Sequence, residues 1–259
     1  MLYYMLVAPA NRIFIITRTP APFNERFGEA RSGVCLFMKA FDLILFDLDG
    51  TLTASHPGIL RCIRDTLEKL HYPVPEEPVL RKFIGPPLVL SLEKYCGITG
   101  KEADRFIDEY RLIYNASGVF EASVFDGLFP LLGRLREEGY HLAVATSKPQ
   151  NAAELVTDHF GLTPCFDLIS GSSEDEKGSK RMVMEHAIQF FHTAPERTLM
   201  IGDTRFDAEG AQQVGTPFLG VLYGYGSREE MEAFGARDFV SSPKEAEAWI
   251  LEKEGCVSD

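Results

Sequence analysis

The sequence predicts an α/β protein: a doubly wound parallel sheet that carries an inserted small α-helical domain. Short apolar runs recur along the chain, and patterns with helical periodicity separate them. Such alternation is typical of βαβ units and of a parallel sheet with helices on both faces. In addition, a stretch of about 70 residues shows helical patterns only, at residues 54–123.

The predicted strands are short apolar runs that each end in small or polar residues. They lie at residues 43–48, 141–147, 166–172, 198–203 and 217–224. An uninterrupted apolar run such as LILFDL is typical of a strand that is covered on both faces. Helical patterns separate the later strands, at residues 127–139, 151–161, 179–191 and 206–215. In the first of them Gly139 is predicted to end the helix.

Residues 54–123 are predicted to be a separate helical domain, which we call the helical insert. The insert is too long for a connection within a compact domain, and it begins and ends beside the first strand of the sheet, where it could cover that strand's end. The predicted organisation is therefore an α/β core of residues 38–53 and 124–259, with the insert as a cap. Residues 1–37 show no regular period and contain several prolines, so we expect an arm that is disordered or not functional, with Met38 as the functional start.

Composition narrows the classes of partner. The net charge of −12 argues against a broad nucleic-acid-binding surface, although one small phosphorylated metabolite could still bind at a locally basic site. The five cysteines are scattered, which favours reduced thiols and a cytoplasmic location. No apolar run reaches the roughly 18 residues that favour a membrane span. The oligomeric state is not predicted.

Polar residues follow the ends of several predicted strands. Asp47 and Asp49 come at the end of the first apolar run, where an uncompensated carboxylate would cost several kcal/mol. Carboxyl ends of parallel strands share one edge of a sheet, and ligands bind there. The other groups expected at this edge are Thr51, Thr146, Ser147, Lys180, Asp203 and Asp207.

This set suits hydrolysis of a phosphate monoester. Asp47 is the candidate nucleophile that would form an aspartyl-phosphate, and Asp49 is the candidate general acid and base. Since two anions must meet, a cation is required, and Mg²⁺ prefers carboxylate and carbonyl oxygens. As ligands of this Mg²⁺ we assign the side chains of Asp47 and Asp203 and the backbone carbonyl of Asp49. Thr146, Ser147 and Lys180 would hold phosphate oxygens, with Lys180 also catalytic.

Four features of the sequence resemble the four motifs of the haloacid dehalogenase-like hydrolase superfamily: the segment DLDGTLT, the segment ATS, the residue Lys180 and the segment GDTRFD. The insert is similar to the helical cap of the phosphoglycolate phosphatase-like branch, and FIGPPL resembles a cap loop found there. This resemblance implies a Rossmann-like core and a Mg²⁺-dependent phosphatase whose mobile cap closes over the substrate. Asp207 and Thr51 would support the metal site. The lysine segment reads SKRMV instead of the usual Pro-x-Pro pattern, so Lys177 competes with Lys180.

Several alternatives stay open. Phosphoglycolate, a nucleoside monophosphate and a sugar phosphate are all candidate substrates. A phosphomutase would use the same residues, and a signalling module would keep a long-lived phosphate on Asp47. Within the insert, Gly85, Arg81 and Lys82 are candidate substrate contacts.

Overall fold

The computed structural model describes residues 36–173, 179–253 and 255–257. The interpretation of the arm therefore falls outside the described residues except at its end, where Leu36–Met38 form the first strand, β1. Lys177, the alternative to Lys180, also lies outside the described residues.

Six parallel strands form the central sheet, which confirms the predicted fold class. They are β2 (Leu43–Phe46), β3 (His141–Pro149), β4 (Leu168–Ser172), β5 (Thr198–Gly202), β6 (Phe218–Val221) and β7 (Asp238–Val240), in the spatial order β4-β3-β2-β5-β6-β7. A separate antiparallel pair joins β1 to β8 (Gly255–Val257).

The helices fall into those of the insert and those that flank the sheet. The insert contains α1 (His56–Lys69), α2 (Glu77–Leu80), α3 (Leu88–Cys96) and α4 (Gly100–Ala116). The core contains α5 (Leu128–Glu137), α6 (Gln150–His159), α7 (Lys180–Phe191), α8 (Arg205–Val214), α9 (Arg228–Glu232) and α10 (Pro243–Glu252). No helix within the described ranges is both long enough and apolar enough to cross a membrane.

Strand β2 is buried on both faces, as its uninterrupted apolar run predicts. Leu43 and Leu45 pack into a cluster with residues of α7, whereas Ile44 and Phe46 face the opposite layer, which includes α5 and α10. This alternation follows from the two-residue period of a strand. The sheet therefore holds the end of β2 rigidly between two apolar layers.

The topology creates a crevice at the end of β2. After β2 the chain continues to β3 and β4 on one side, then returns to β5 on the other side and continues outward to β6. Connections from β2 and β5 therefore diverge, which is where open α/β sheets bind ligands. Phe46 pairs with Ile201, so Asp47 and Asp203 follow two neighbouring strands at nearly the same level.

The end of β3 is irregular. Its register against β4 shifts between Ala145 and Pro149, a segment that contains Thr146, Ser147 and Lys148. Such irregularities bend a strand and redirect its side chains. Here they lie at the same edge as the ends of β2 and β5.

The insert joins the core through two adjacent segments. Thr53 and Val124 form an antiparallel bridge, and the backbone N–H of Ala54 donates to the carbonyl of Ser123 at 2.7 Å. Both connections thus lie next to the end of β2. Inside the insert α1 packs against α4, and its buried residues join the apolar layer that covers one face of the sheet.

Candidate active site

Three buried carboxylates meet at the ends of β2 and β5. One oxygen from each of Asp47, Asp203 and Asp207 lies within 4.8 Å of the other two. The three residues have relative exposures of 7%, 0% and 0%. Asp47 and Asp203 directly follow their strands, whereas Asp207 lies in the first turn of α8. The structure thus brings together the acids that the sequence placed at strand ends.

Lys180 is the buried cation of this cluster. Its Nζ lies 2.6 Å from Asp47 Oδ1 and 2.8 Å from Asp207 Oδ1, and it also donates to the carbonyl of Ala145. Gly210 allows this approach, because a Cβ there would lie 2.7 Å from Lys180 Cγ. The other oxygen of Asp207 accepts from the backbone N–H and the hydroxyl of Thr204, which fixes the start of α8. Asp207 therefore orients Lys180 toward Asp47.

Asp203 is held by the loops around it. Thr51 Oγ1 donates to its Oδ1 at 3.0 Å, and the backbone N–H of Tyr225 donates to its Oδ2 at 2.7 Å. Added Cβ atoms at Gly50 and Gly224 would lie 2.2 and 2.3 Å from the carboxylate. These positions therefore require glycine so that the two loops can close around Asp203.

Asp49 belongs to a second ion pair, which the sequence analysis missed. Lys148 Nζ lies 2.9 Å from Asp49 Oδ2 and donates to the hydroxyl of Tyr114 at 2.9 Å. Lys148 directly follows Thr146 and Ser147, so its position after a predicted strand was a usable signal. Its partner Tyr114 comes from α4, and no local pattern indicates that contact.

Thr146 and Ser147 lie beside the acids, on the irregular end of β3. Both line the cavity described below, and Thr146 is 2% exposed. The hydroxyl of Thr146 accepts from the backbone N–H of Lys148 at 3.2 Å, and the carbonyl of Ser147 accepts from the hydroxyl of Ser172. Among the described residues the Thr146 hydroxyl donates to no acceptor, so its hydrogen is available to an incoming anion.

A cavity of about 260 Å³ lies between the insert and the core. Asp47, Asp49 and Lys180 line the cavity on the core side. The insert side is largely apolar and aromatic, with polar contributions from Arg111 and Asn115. Its apolar and aromatic lining residues are Ile59, Ile63, Phe83, Ile84, Pro86, Pro87, Leu88, Tyr110 and Tyr114. The arrangement can therefore admit a molecule whose anionic end contacts Lys180 and Thr146, with a cation to offset the acids, and whose less polar end lies against the insert.

The three candidate contacts within the insert differ in position. Gly85 lines the cavity with φ 99°, and a Cβ there would lie 3.1 Å from Thr204 Cγ2 across the gap to the core. Arg81 and Lys82 are exposed and are not among the residues that line the cavity. Arg81 instead lies 3.5 Å from Glu77, one turn earlier in the chain.

Burial and charge perturb the titration of the cluster. Burial raises the pKa of Asp47 to about 6, although Lys180 opposes that shift. Burial together with the Asp207 and Asp47 carboxylates raises the pKa of Asp203 well above its usual value. Burial alone would lower the pKa of Lys180, but the same neighbours, Asp207 and Asp47, raise it above its ordinary value. Burial is the main cause of the two raised carboxyl pKa values, and the raised pKa of Lys180 indicates an excess of negative charge around its ammonium.

The donor set fits a hard divalent cation. When all three acids are ionised, their charge and that of Lys180 sum to about −2, which one divalent ion would balance. All available donors are oxygens, the ligand type that Mg²⁺ prefers. One oxygen of Asp47 and one of Asp203 lie close enough together to share an ion, and the Asp49 carbonyl belongs to the turn that follows Asp47.

The chain resembles known proteins over most of the described region. The family model described as haloacid dehalogenase-like hydrolase matches residues 44–221. Tyrosine-protein kinase PtkA of Mycobacterium tuberculosis is 42% identical over 185 residues, which cover 71% of this chain and 63% of that protein. The chain therefore spans less than two thirds of the length of that relative.

Two further relatives are covered more completely. A 5'-nucleotidase of Pseudomonas aeruginosa is 38% identical over 191 residues, 73% of this chain and 86% of that protein. The crystal structure of a predicted phosphatase from Clostridium acetobutylicum is 40% identical with a TM-score of 0.79, and the match covers 83% of this chain and all of that one. Phosphoglycolate phosphatases are also among the relatives. The resemblance inferred from the motifs is thereby confirmed.

Proposed function

Since the chain belongs to the haloacid dehalogenase-like hydrolase family, we propose that it is a metal-dependent phosphatase of small phosphate monoesters. The observation that carries this proposal is the position of Asp47. This carboxylate is buried at the end of β2, paired with Lys180, clustered with two further acids, and open to the cavity. A carboxylate can act as a covalent nucleophile, and these neighbours would position Asp47 for that attack.

Asp47 would attack phosphorus while Asp49 gives its proton to the leaving oxygen, which departs as an alcohol. The aspartyl-phosphate then forms on Asp47, and Asp49 removes a proton from the water that cleaves it. Asp47 and Asp49 are two residues apart at a strand end, and both line the cavity. Lys180 lies 2.6 Å from Asp47, where its charge opposes the repulsion between nucleophile and phosphate.

Mg²⁺ is the proposed cofactor. Asp47, Asp203 and the backbone carbonyl of Asp49 would hold it, with Thr51 and Asp207 in support. When bound, the ion supplies positive charge that lowers the repulsion between phosphate and carboxylate and polarises the phosphoryl oxygens. The hydroxyl of Thr146, the Ser147 segment and Lys180 would bind the remaining phosphate oxygens.

The helical insert is proposed to act as the cap. It supplies the apolar side of the cavity, and its two connections to the core lie beside the end of β2. Closure would exclude water from Asp47, which strengthens the electrostatic interactions there. The insert would also select the alcohol part of the substrate.

Among the candidate substrates, the cavity supports a nucleoside monophosphate before phosphoglycolate or a sugar phosphate. Its insert side offers aliphatic and aromatic surface, which suits a flat base better than a short carboxylate or a polyhydroxylated sugar. The Pseudomonas relative is a 5'-nucleotidase, which supports the same order. A cytoplasmic location is part of this proposal, because Cys62, Cys96 and Cys165 are free thiols.

A panel of phosphate esters, assayed for released phosphate with and without a chelator, tests the proposal. Asp47→Asn should abolish turnover, whereas Asp42→Asn should retain it. Asp42 immediately precedes β2, at the end of the strand opposite the cavity, and pairs with Arg197 there. Metal-independent turnover, or substantial turnover by the Asp47 variant, would contradict the proposal.

Analysis of the products separates the two rivals that share these residues. A phosphomutase would return the phosphoryl group to another hydroxyl of the substrate and release little inorganic phosphate. A signalling module would hold a long-lived phosphate on Asp47 without multiple turnover. The cavity between insert and core favours an enzyme, because a phospho-accepting module needs no enclosed space for an alcohol.

Phosphoryl transfer to tyrosine is a second candidate function, because the chain is 42% identical to the mycobacterial tyrosine kinase over 185 residues. Incubation with ATP labelled at the γ-phosphate and a tyrosine-containing peptide distinguishes a tyrosine kinase from a phosphatase. Label on the peptide would favour the kinase. Label released only as inorganic phosphate, together with rapid hydrolysis of monoesters, would favour the phosphatase.

A further inference from the structure

Lys148 and Tyr114 form a buried contact between the helical insert and the core. Lys148 Nζ lies 2.9 Å from Asp49 Oδ2, and the same nitrogen donates to the Tyr114 hydroxyl at 2.9 Å while lying 4.5 Å from the centre of that ring. The Lys148 side chain is 7% exposed and Tyr114 is 3% exposed. All three residues line the cavity.

The three residues come from three separate elements. Asp49 follows β2, Lys148 lies on the irregular end of β3, and Tyr114 lies on α4 of the insert. Tyr114 thus connects the position of the insert to the position of the Lys148 ammonium.

The two oxygens of Asp49 have unequal surroundings. Oδ2 accepts from Lys148, whereas Oδ1 is buried with no hydrogen-bond partner among the described residues. An oxygen that already accepts from an ammonium is the poorer place for a proton. When Asp49 carries a proton, Lys148 therefore favours its placement on Oδ1.

We propose that Lys148 and Tyr114 are positioning residues that hold Asp49 with Oδ1 as the proton-donating atom, and that they couple this orientation to the insert. The inference rests on the proposed function. In the step concerned, the bond between phosphorus and the leaving oxygen breaks as Asp47 Oδ bonds to phosphorus. The proton on Asp49 Oδ1 passes to that leaving oxygen, which departs as a neutral alcohol.

The test compares two esters that differ in their need for an acid. An alkyl phosphate has a poor leaving group and requires protonation, whereas p-nitrophenyl phosphate releases a stable anion without it. The value of kcat/KM reports steps up to formation of the aspartyl-phosphate. We expect Tyr114→Phe to lower kcat/KM about tenfold for the alkyl ester and less than about twofold for the aryl ester.

Lys148→Met should show a larger difference between the esters, with kcat/KM lowered about 100-fold for the alkyl ester and only a few-fold for the aryl ester. Asp49→Asn is the reference, and its loss should also fall mainly on the alkyl ester. The double variant should lose little more than Lys148→Met, because the two residues act as one unit. Tyr95→Phe is the matched control, since it removes the same group from the insert at a residue that does not line the cavity.

Unequal losses for the two esters in Tyr114→Phe and Lys148→Met would support the inference. Equal losses in an otherwise active enzyme would overturn it and leave the phosphatase proposal standing, because a merely structural defect lowers both rates alike. Absence of hydrolysis of either ester by the unaltered protein would overturn the proposed function, and this inference with it. Tyr114→Phe removes only one hydroxyl, so it serves as the test if Lys148→Met fails to fold.

Discussion

Replacing Asp203 with asparagine should stabilise the metal-free protein. The side chain is fully buried beside Asp47 and Asp207, and its pKa lies well above the usual value for that reason. The folded protein therefore binds this proton more tightly than the unfolded chain does. As the pH rises above about 4, the metal-free folded state loses stability relative to the unfolded state.

The size of this penalty has an upper limit, because the carboxyl takes up a proton instead of remaining charged. Each pKa unit corresponds to about 1.4 kcal/mol, and the ordinary pKa is 3.8, so the limit at pH 7 is about 4 kcal/mol. Asparagine removes this penalty but loses about 1 kcal/mol, because its amide cannot accept from both Thr51 and Tyr225. The variant should therefore gain stability, by at most about 3 kcal/mol or about 10 °C in Tm.

Thermal unfolding of both proteins, with chelator and with Mg²⁺, measures this effect. In chelator, Asp203→Asn should unfold at the higher temperature at pH 7, and the difference should shrink toward pH 4. In Mg²⁺ the order should reverse, because the variant lacks a ligand. Asp104→Asn on the exposed face of α4 is the control and should change little. A variant that is less stable in chelator at pH 7 would refute the account of excess charge at this site.

Three further changes test other parts of the site. Lys180→Met should destabilise the metal-free protein by about 3–5 kcal/mol in urea unfolding, because it leaves buried carboxylates unpaired; no loss would show that the pair is not needed. Thr51→Val should weaken Mg²⁺ binding about 10–100-fold by calorimetry, since Thr51 orients Asp203, and unchanged affinity would contradict that role. Gly85→Ala should cost about 1–2 kcal/mol, because φ is 99° and the new Cβ meets Thr204 at 3.1 Å; unchanged urea stability would exclude strain at this turn.

The sheet was predictable because its signals are local. The run at Leu43–Phe46 is apolar throughout, and burial on both faces of the sheet explains it. The patterns for α5 to α8 likewise agree with the observed helices to within a few residues. Strand β7 was missed, since Asp238–Val240 is three residues long and lies at the edge of the sheet.

The site was predictable only where residues follow strand ends. The parallel sheet alone brings Asp47 and Asp203 together, so their meeting follows from topology. Lys148 and Tyr114 meet through the packing of the insert against the core, 34 residues apart in sequence. No periodicity or motif encodes that distance. The exposure of Arg81 likewise depends on how α2 is oriented against the core, and the sequence alone does not determine that orientation.

Chemical trapping of the enzyme during turnover tests the central claim most directly. An aspartyl-phosphate is an acyl phosphate, so reduction with borohydride converts the modified aspartate to homoserine, which peptide mass spectrometry can locate. With substrate and Mg²⁺, homoserine should appear at position 47 and be absent from Asp47→Asn. Homoserine at another aspartate, or turnover without any trapped residue under conditions that trap a known acyl phosphate, would contradict the claim that Asp47 receives the phosphoryl group.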